Sequence, residues 1–108
     1  MELTIGEAAE KLHLSIHTLH YYEKEGLLLP VKRAENGQRL YTLGDIQWIY
    51  MIRCLRDTGM PIQNIKQYLS LFKQGSKTVS ERKEFLEQYK EHIDQQIRVF
   101  QTTRLLLE

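Results

Sequence analysis

The first apolar pattern of the chain predicts a short amphipathic helix. Its apolar residues recur at the three- and four-residue spacing of one helical face: Ile5, Ala8, Ala9 and Leu12. Thr4 precedes this face and Glu7 lies three residues later, which is the capping-box arrangement of a helix start. Only His13 and Leu14 separate this helix from the next segment. We therefore expect a tight turn between two short helices.

The next segment, Ser15–Gly26, predicts a second short helix with a serine N-cap and a terminating glycine. At about 100° per residue, its apolar side chains turn inward: Ile16, Leu19 and Tyr22. The outer face presents two imidazoles, a hydroxyl and a phenol: His17, Thr18, His20 and Tyr21. The pair of helices is typical of a helix-turn-helix, whose second helix enters the major groove of DNA. These four polar residues are therefore candidate DNA contacts.

A basic hairpin is predicted after the second helix. β-compatible residues flank Asn36-Gly37, a pair that suits the left-handed backbone of a tight hairpin turn. Lys32, Arg33 and Arg39 stand there against a single acidic residue, the densest excess of positive charge in the chain. Such a hairpin would form a small β-wing that binds DNA phosphates.

Two further helices are predicted as support for the first two. Thr42 and Asp45 cap the third, which runs to about Thr58. Pro61 opens the fourth, whose apolar stripe is Ile62, Ile65, Leu69 and Phe72. Residues 74–77 end the compact part. We therefore expect a DNA-binding domain over residues 1–75 and a separate segment over residues 76–108.

The last segment predicts one long helix that begins in a capping box formed by Thr78 and Glu81. Its apolar residues recur every seven positions, and two more widen this seam: Val79, Leu86, Ile93, Phe100 and Leu107, then Tyr89 and Ile97. Roughly thirty residues at about 1.5 Å each extend about 45 Å, longer than a small domain can cover. We expect the seam to be a homodimer interface. The alternative is a helix that folds back on its own domain.

Composition limits the remaining possibilities. With 108 residues and 42% hydrophobic content, the chain can bury one modest core, and no run is apolar enough to span a membrane. The first residues lack the pattern of a secretion signal, and a single cysteine excludes an internal disulfide, so we expect a cytoplasmic protein. The net charge is only +1, so affinity for DNA must come from local placement of charge.

The sequence contains no recognisable enzyme chemistry. It has no Gly-rich phosphate loop, and no serine or cysteine nucleophile lies in a known catalytic motif. His13 and His17 are four residues apart, but the predicted turn lies between them, which argues against a zinc site. We expect a protein that is not an enzyme and that needs neither a cofactor nor a metal.

Several motifs resemble the MerR family of transcriptional regulators: T-I-G-E-A-A-E, H-T-L-H-Y-Y-E-K-E-G-L-L, E-N-G-Q-R-L-Y-T, D-I-Q-W-I and G-M-P-I-Q-N-I-K. The resemblance runs from Thr4 to about Phe72. It implies a mainly α fold, in which a winged helix-turn-helix domain precedes a long dimerisation helix that forms an antiparallel coiled coil. It also implies a homodimer on double-stranded promoter DNA with an overlong spacer. Such dimers bend and untwist the DNA so that RNA polymerase engages both promoter elements.

The resemblance also assigns roles to single residues. It places the family's recognition-helix tyrosine and threonine at Tyr21 and Thr18, and its wing arginine and tyrosine at Arg39 and Tyr41. One departure is His20, which stands where the family usually has an arginine. Because histidine titrates near neutrality, this departure predicts weaker binding or a stronger pH dependence.

Cys54 is the one thiol of the chain. It lies on the third predicted helix about 140° from the centre of the apolar arc, alongside Gln47 and Tyr50. A cysteine in this helix also resembles the thiol-based branch of the family, which responds to formaldehyde, methylglyoxal and other reactive carbonyls. Cys54 is therefore a candidate stress sensor. The alternative is a small packing residue, and nearby Asp57 would oppose ionisation of the thiol.

Three other functions stay open at this point. An excisionase-like protein would bend DNA without regulating a promoter. A coiled-coil adaptor would never bind DNA. A MerR-type regulator could also respond to a small ligand that binds without a covalent bond.

Overall fold

The chain folds into five α-helices and a small sheet in the computed structural model, which describes residues 2–108. The elements in order are β1 (Glu2–Leu3), α1 (Ile5–Leu12), α2 (Ile16–Lys24), β2 (Lys32–Arg33), β3 (Arg39–Thr42), α3 (Leu43–Asp57), α4 (Ile62–Lys73) and α5 (Val79–Leu106). Contacts divide the chain into one unit that ends at Lys66 and a second, Gln67–Glu108, so the division falls inside α4. The domain limits 1–75 and 76–108 stay a prediction.

The starts of α1 and α2 follow the predicted caps. Thr4 Oγ1 accepts the backbone N–H of Glu7 at 3.3 Å, and the Glu7 carboxylate accepts the backbone N–H of Thr4 at 2.9 Å. The bond from the Thr4 backbone lowers the pKa of the Glu7 carboxyl. Ser15 Oγ accepts the Thr18 N–H at 3.0 Å. His13 takes a left-handed conformation, with φ 55°, and so turns the chain between the helices; among residues 2–108 it is the one residue other than glycine with a positive φ.

The core of the first unit lies where α1 packs against α2, α3 and β3. It contains mostly aliphatic side chains: Ala8, Leu12, Leu19, Leu27, Ile49 and Ile52. Two side chains on α3 donate hydrogen bonds to backbone carbonyls at the end of α1 and just after α2. Arg53 Nη1 donates to the Leu12 carbonyl and Trp48 Nε1 to the Leu27 carbonyl, both at 2.7 Å.

Ile16 was expected inside, and this was wrong: it is 43% exposed. As the first residue of α2, it points back beyond the helix start, where no earlier turn covers it.

The sheet has the order β1-β3-β2, with antiparallel pairing on both sides of β3. The wing of β2 and β3 was predicted, whereas β1 is too short to give a sequence pattern. Arg33 pairs with Arg39 and the Ala34 N–H donates to the Gln38 carbonyl at 2.8 Å. Only Gly37 is left-handed in this turn, with φ 84°. The expected tight pair of left-handed residues is therefore replaced by a longer loop with a single left-handed glycine.

The predicted capping box at the start of α5 is wrong. Thr78 has φ −110° and ψ 12° and makes no side-chain cap. Thr78 is buried, with 2% of its surface exposed. Its hydroxyl donates to the carbonyls of Leu71 at 2.5 Å and Gly75 at 3.1 Å. Residues Gly75–Thr78 form a 3-10 turn, which places Thr78 under the α4 end instead of at an open helix start. Arg82 Nε donates to the Thr78 hydroxyl at 3.2 Å.

The last helix, α5, covers 28 residues, and none of them is buried. The seam residues stay accessible to different degrees: Leu86, Tyr89 and Ile93 are half-buried, while Val79, Ile97, Phe100 and Leu107 are exposed. On the α4 stripe, Ile65 and Leu69 are buried, but Phe72 is exposed beneath the Arg82 guanidinium, 5.4 Å from the ring centre. Within residues 2–108, no helix combines the length and apolar character needed to cross a bilayer.

Candidate nucleic-acid interface

The outer face of α2 is presented largely as predicted. His17 and His20 are exposed, and Tyr21 is 42% exposed. Thr18 is half-buried, and its hydroxyl shares a hydrogen bond of 2.9 Å with the Ser15 hydroxyl. Thr18 therefore lies at the edge of the face, with a hydroxyl that already has a partner.

Sequence reasoning missed Lys24 on this face. Lys24 is exposed, and it follows His17, His20 and Tyr21 at seven, four and three residues. That spacing places it on the same side of the helix, so the signal was available from the sequence. Lys24 adds a lysine side chain to the polar outer face of α2.

Tyr21 and Tyr22 differ in burial, as expected. Tyr22 is buried in the core, and its burial raises the pKa of its phenol. The ring of Tyr21 lies 6.2 Å from that of Tyr22, tilted by 50°. The buried ring thus supports an exposed phenol on the outer face of α2.

Two of the wing cations are exposed and hold the wing together. Lys32 Nζ lies 2.9 Å from a carboxylate oxygen of Glu2 on β1. Arg33 Nη1 donates to the Gly37 carbonyl at 2.8 Å and so closes the turn. Both side chains are accessible to a phosphate, although the charge of Lys32 is partly offset by Glu2.

Arg39, a predicted phosphate contact, is bound to Glu23 of α2. Its Nε donates to Glu23 Oε2 at 2.9 Å, and its Nη2 lies 2.5 Å from Glu23 Oε1. This two-point bond to Glu23 raises the pKa of Arg39. It joins β3 of the wing to α2, with the Arg39 side chain 27% exposed.

Tyr41 corrects another prediction. It is only 1% exposed, so it packs in the core and does not present its phenol to DNA. Burial raises the pKa of its hydroxyl. The reason is the two-residue period of a strand: Arg39 and Tyr41 share a side of β3, and that side faces the helices. Arg39 reaches Glu23 from the same side.

Cys54 lies off the core face of α3, as predicted, and its side chain is exposed. Tyr50, one turn earlier, is also exposed. The carboxylate of Asp57 lies 3.9 Å from Arg53 Nε, so its charge near the thiol is partly offset. Across residues 2–108, no group of histidine, cysteine and acidic side chains is arranged to hold a metal ion.

Comparison with known proteins adds two family matches. Residues 3–71 match the family described as "MerR HTH family regulatory protein", and residues 46–108 match "MerR, DNA binding". An uncharacterized HTH-type transcriptional regulator of Haemophilus influenzae is 39% identical over 97 residues, which cover 90% of this chain and 72% of that protein. The HTH-type transcriptional regulator AdhR of Bacillus subtilis is 42% identical over 84 residues, which cover 78% of this chain and 60% of AdhR.

A solved structure is similar over nearly the whole chain. It is HiNmlR, described as a MerR family regulator lacking the sensor domain, bound to promoter DNA. The two share 37% sequence identity and superpose with a TM-score of 0.88, over 94% of this chain and 77% of that one. The arrangement of α2 and the wing is therefore found in a protein that was solved on DNA.

Proposed function

Because the chain belongs to the MerR family of helix-turn-helix transcriptional regulators, we propose that it binds promoter DNA as a homodimer and regulates transcription in response to an effector. The resemblance found in the sequence motifs is thus confirmed, and the family consists of regulators, not enzymes. The observation that carries the proposal is the exposed polar face of α2 on a helix-turn-helix fixed by Arg53 and Trp48.

In the proposed complex, α2 lies in the major groove. His17, His20, Tyr21 and Lys24 face base edges and nearby phosphates, and Thr18 contacts the groove from the edge of the face. Imidazole, hydroxyl and phenol groups each donate or accept hydrogen bonds, which suits base readout. Arg33 and Lys32 supply phosphate contacts from the wing, and these position the protein without reading sequence.

The homodimer is supported by the apolar seam of α5. Phe100 is 74% exposed and Val79 and Ile97 are also exposed, yet the seam keeps a seven-residue repeat. A second copy of α5 is the simplest way to cover such a repeat. Two copies of α2 would then read two half-sites, and a protein that bends the DNA between them would let RNA polymerase engage the promoter.

For the effector, we propose a reactive aldehyde or another electrophile that modifies Cys54. The exposed thiol on α3 supports this, because an adduct needs an accessible sulfur. A small ligand that binds without a covalent bond is the alternative.

The proposed function is tested by selecting duplexes from a random library and footprinting the protein on the selected sequence. In vitro transcription from that sequence follows. Bending with a change in transcription supports regulation, bending alone would indicate an architectural protein, and the absence of a footprint would indicate an adaptor. Lys24→Ala should weaken binding, whereas Lys77→Ala removes an exposed lysine from the Gly75–Thr78 turn and should not.

A further inference from the structure

Glu23 binds only one edge of the Arg39 guanidinium. Its two carboxylate oxygens take the Nε–H and one Nη2–H, at 2.9 and 2.5 Å. A guanidinium has five N–H donors in a rigid plane, so the Nη1 edge is left for another acceptor. The Arg39 side chain is 27% exposed, so part of it remains open to a phosphate oxygen.

The same bond makes the pair electrically neutral. Affinity for any duplex, whatever its sequence, comes mainly from cations that displace counterions from phosphates. While Glu23 is ionised, Arg39 contributes little to this general attraction. Arg33, whose partner is a neutral carbonyl, keeps its full charge.

Glu23 also fixes where Arg39 can donate. It lies on α2 two residues after Tyr21 and three after His20, so the bond to β3 runs directly between the reading helix and the wing. A free arginine would swing to whichever phosphate is near. An arginine held at two points meets a phosphate only when α2 sits in one register in the groove.

We propose that Glu23 is a specificity-determining residue, which neutralises Arg39 on random DNA and aims its Nη1 edge at one phosphate of the correct site. This inference rests on the proposed function, because it requires that α2 reads DNA. In the proposed contact, the Glu23 carboxylate binds one edge of the Arg39 guanidinium, and the other edge binds a DNA phosphate. The general attraction of Arg39 for DNA is thereby converted into a contact that depends on register.

The test is Glu23→Gln, measured on a duplex selected from a random library and on a scrambled duplex of equal composition, over a series of salt concentrations. With Arg39 released, affinity for the scrambled duplex should rise, and its salt dependence should steepen by about one unit. The ratio of selected to scrambled affinity should fall roughly two- to fivefold, in line with the loss of one solvent-accessible charge contact.

Glu35→Gln is the matched control. Glu35 is exposed in the wing turn, so this variant makes the same change in charge without releasing Arg39. It should raise affinity for both duplexes alike and leave their ratio unchanged. In an Arg39→Gln background, Glu23→Gln should no longer change the ratio, because Glu23 acts through Arg39.

Glu23→Asp guards against misfolding of the glutamine variant. It keeps the negative charge but is too short for the two-point bond, so the ratio should fall while the salt dependence stays that of the wild type. If the affinity ratio is unchanged in both Glu23 variants, the role proposed for Glu23 is overturned, but the proposed function is not. The same holds if the ratio falls as much in Glu35→Gln as in Glu23→Gln. A wild-type protein that selects no sequence overturns the proposed function together with this inference.

Discussion

At the scale of single residues, Thr78 is a buried polar side chain of the second unit. Its hydroxyl donates to the carbonyls of Leu71 and Gly75 and accepts from Arg82 Nε. The residue is almost fully buried. Because this hydroxyl is almost fully buried and contacts three neighbouring groups, we expect it to matter more than an ordinary, solvent-exposed helix cap.

We predict that Thr78→Val lowers the free energy of unfolding by about 1–3 kcal/mol, because the isosteric valine can neither donate to Leu71 nor accept from Arg82. Urea denaturation followed by circular dichroism measures this. Thr103→Val is the control: Thr103 donates to the Val99 carbonyl at 2.9 Å, but it is exposed, and water replaces the bond. A loss for Thr103→Val as large as that for Thr78→Val would contradict this account.

Cys54 gives the second prediction at this scale. Cys54→Ser keeps the size and loses the nucleophile, so dimerisation and operator affinity should stay normal while transcription no longer responds to aldehyde. An adduct that shifts the conformational equilibrium by about 1.4 kcal/mol would change its ratio tenfold. In vitro transcription with and without methylglyoxal, together with intact mass, is the measurement. Equal responses of both proteins would remove Cys54 from the mechanism and favour a non-covalent ligand.

The residue scale also shows where sequence reasoning stops. The outward face of α2 followed from helical spacing, and Tyr22 and Leu19 were placed inside correctly. Arg39 was assigned to DNA from the basic wing and the family resemblance, and Tyr41 from the resemblance alone. Their shared strand face had to be known before either side chain could be oriented. The Glu23 partner of Arg39 lies 16 residues away, a separation at which no local pattern acts.

At the scale of elements, the helix starts that depend on local chemistry were predictable. Thr4 and Thr42 both form capping boxes, with Glu7 and Asp45 as the reciprocal partners. Thr78 has the same sequence pattern but forms no capping box, because its hydroxyl binds the Leu71 carbonyl at the end of α4 instead. The strand β1 could not be found, since its two residues acquire their structure only by pairing with β3.

The wing turn carries the third prediction. Gly37→Ala should destabilise the protein by about 1–2 kcal/mol, because Gly37 has a left-handed φ of 84° that alanine adopts only at a cost. Apart from the adjacent residues of the chain, no heavy atom lies within 4 Å of the added Cβ, so the effect comes from the backbone conformation. It is measured as a shift in the urea midpoint.

Gly44→Ala is the opposite case on the same fold. Gly44 lies in the first turn of α3, and an added Cβ would meet Thr42 Oγ1 at an ordinary 3.7 Å. Alanine should therefore stabilise the helix by about 0.4–1 kcal/mol. A stabilising Gly37→Ala would contradict the left-handed conformation of Gly37, and a destabilising Gly44→Ala would contradict the room for a Cβ at Gly44.

At the scale of the whole molecule, a single chain does not bury the apolar seam of the long helix. Its seam repeats over the length of α5, but every residue of the helix retains some exposure. Sequence spacing predicted this seam, whereas it could not identify the chain that covers it. A homodimer would cover the seam and at the same time bring two copies of α2 to one operator.

The last prediction tests this dimer. Ile93 lies in the middle of the seam, so Ile93→Asp would place a carboxylate in an apolar interface at a cost of several kcal/mol. We expect dissociation into monomers at micromolar concentration, measured by light scattering coupled to size exclusion. Gln95→Asp adds the same carboxylate about 200° around the helix, on its exposed side, and should stay dimeric. A dimeric Ile93→Asp protein would assign the interface to another face. Two monomeric variants would instead show that added charge anywhere on α5 prevents association.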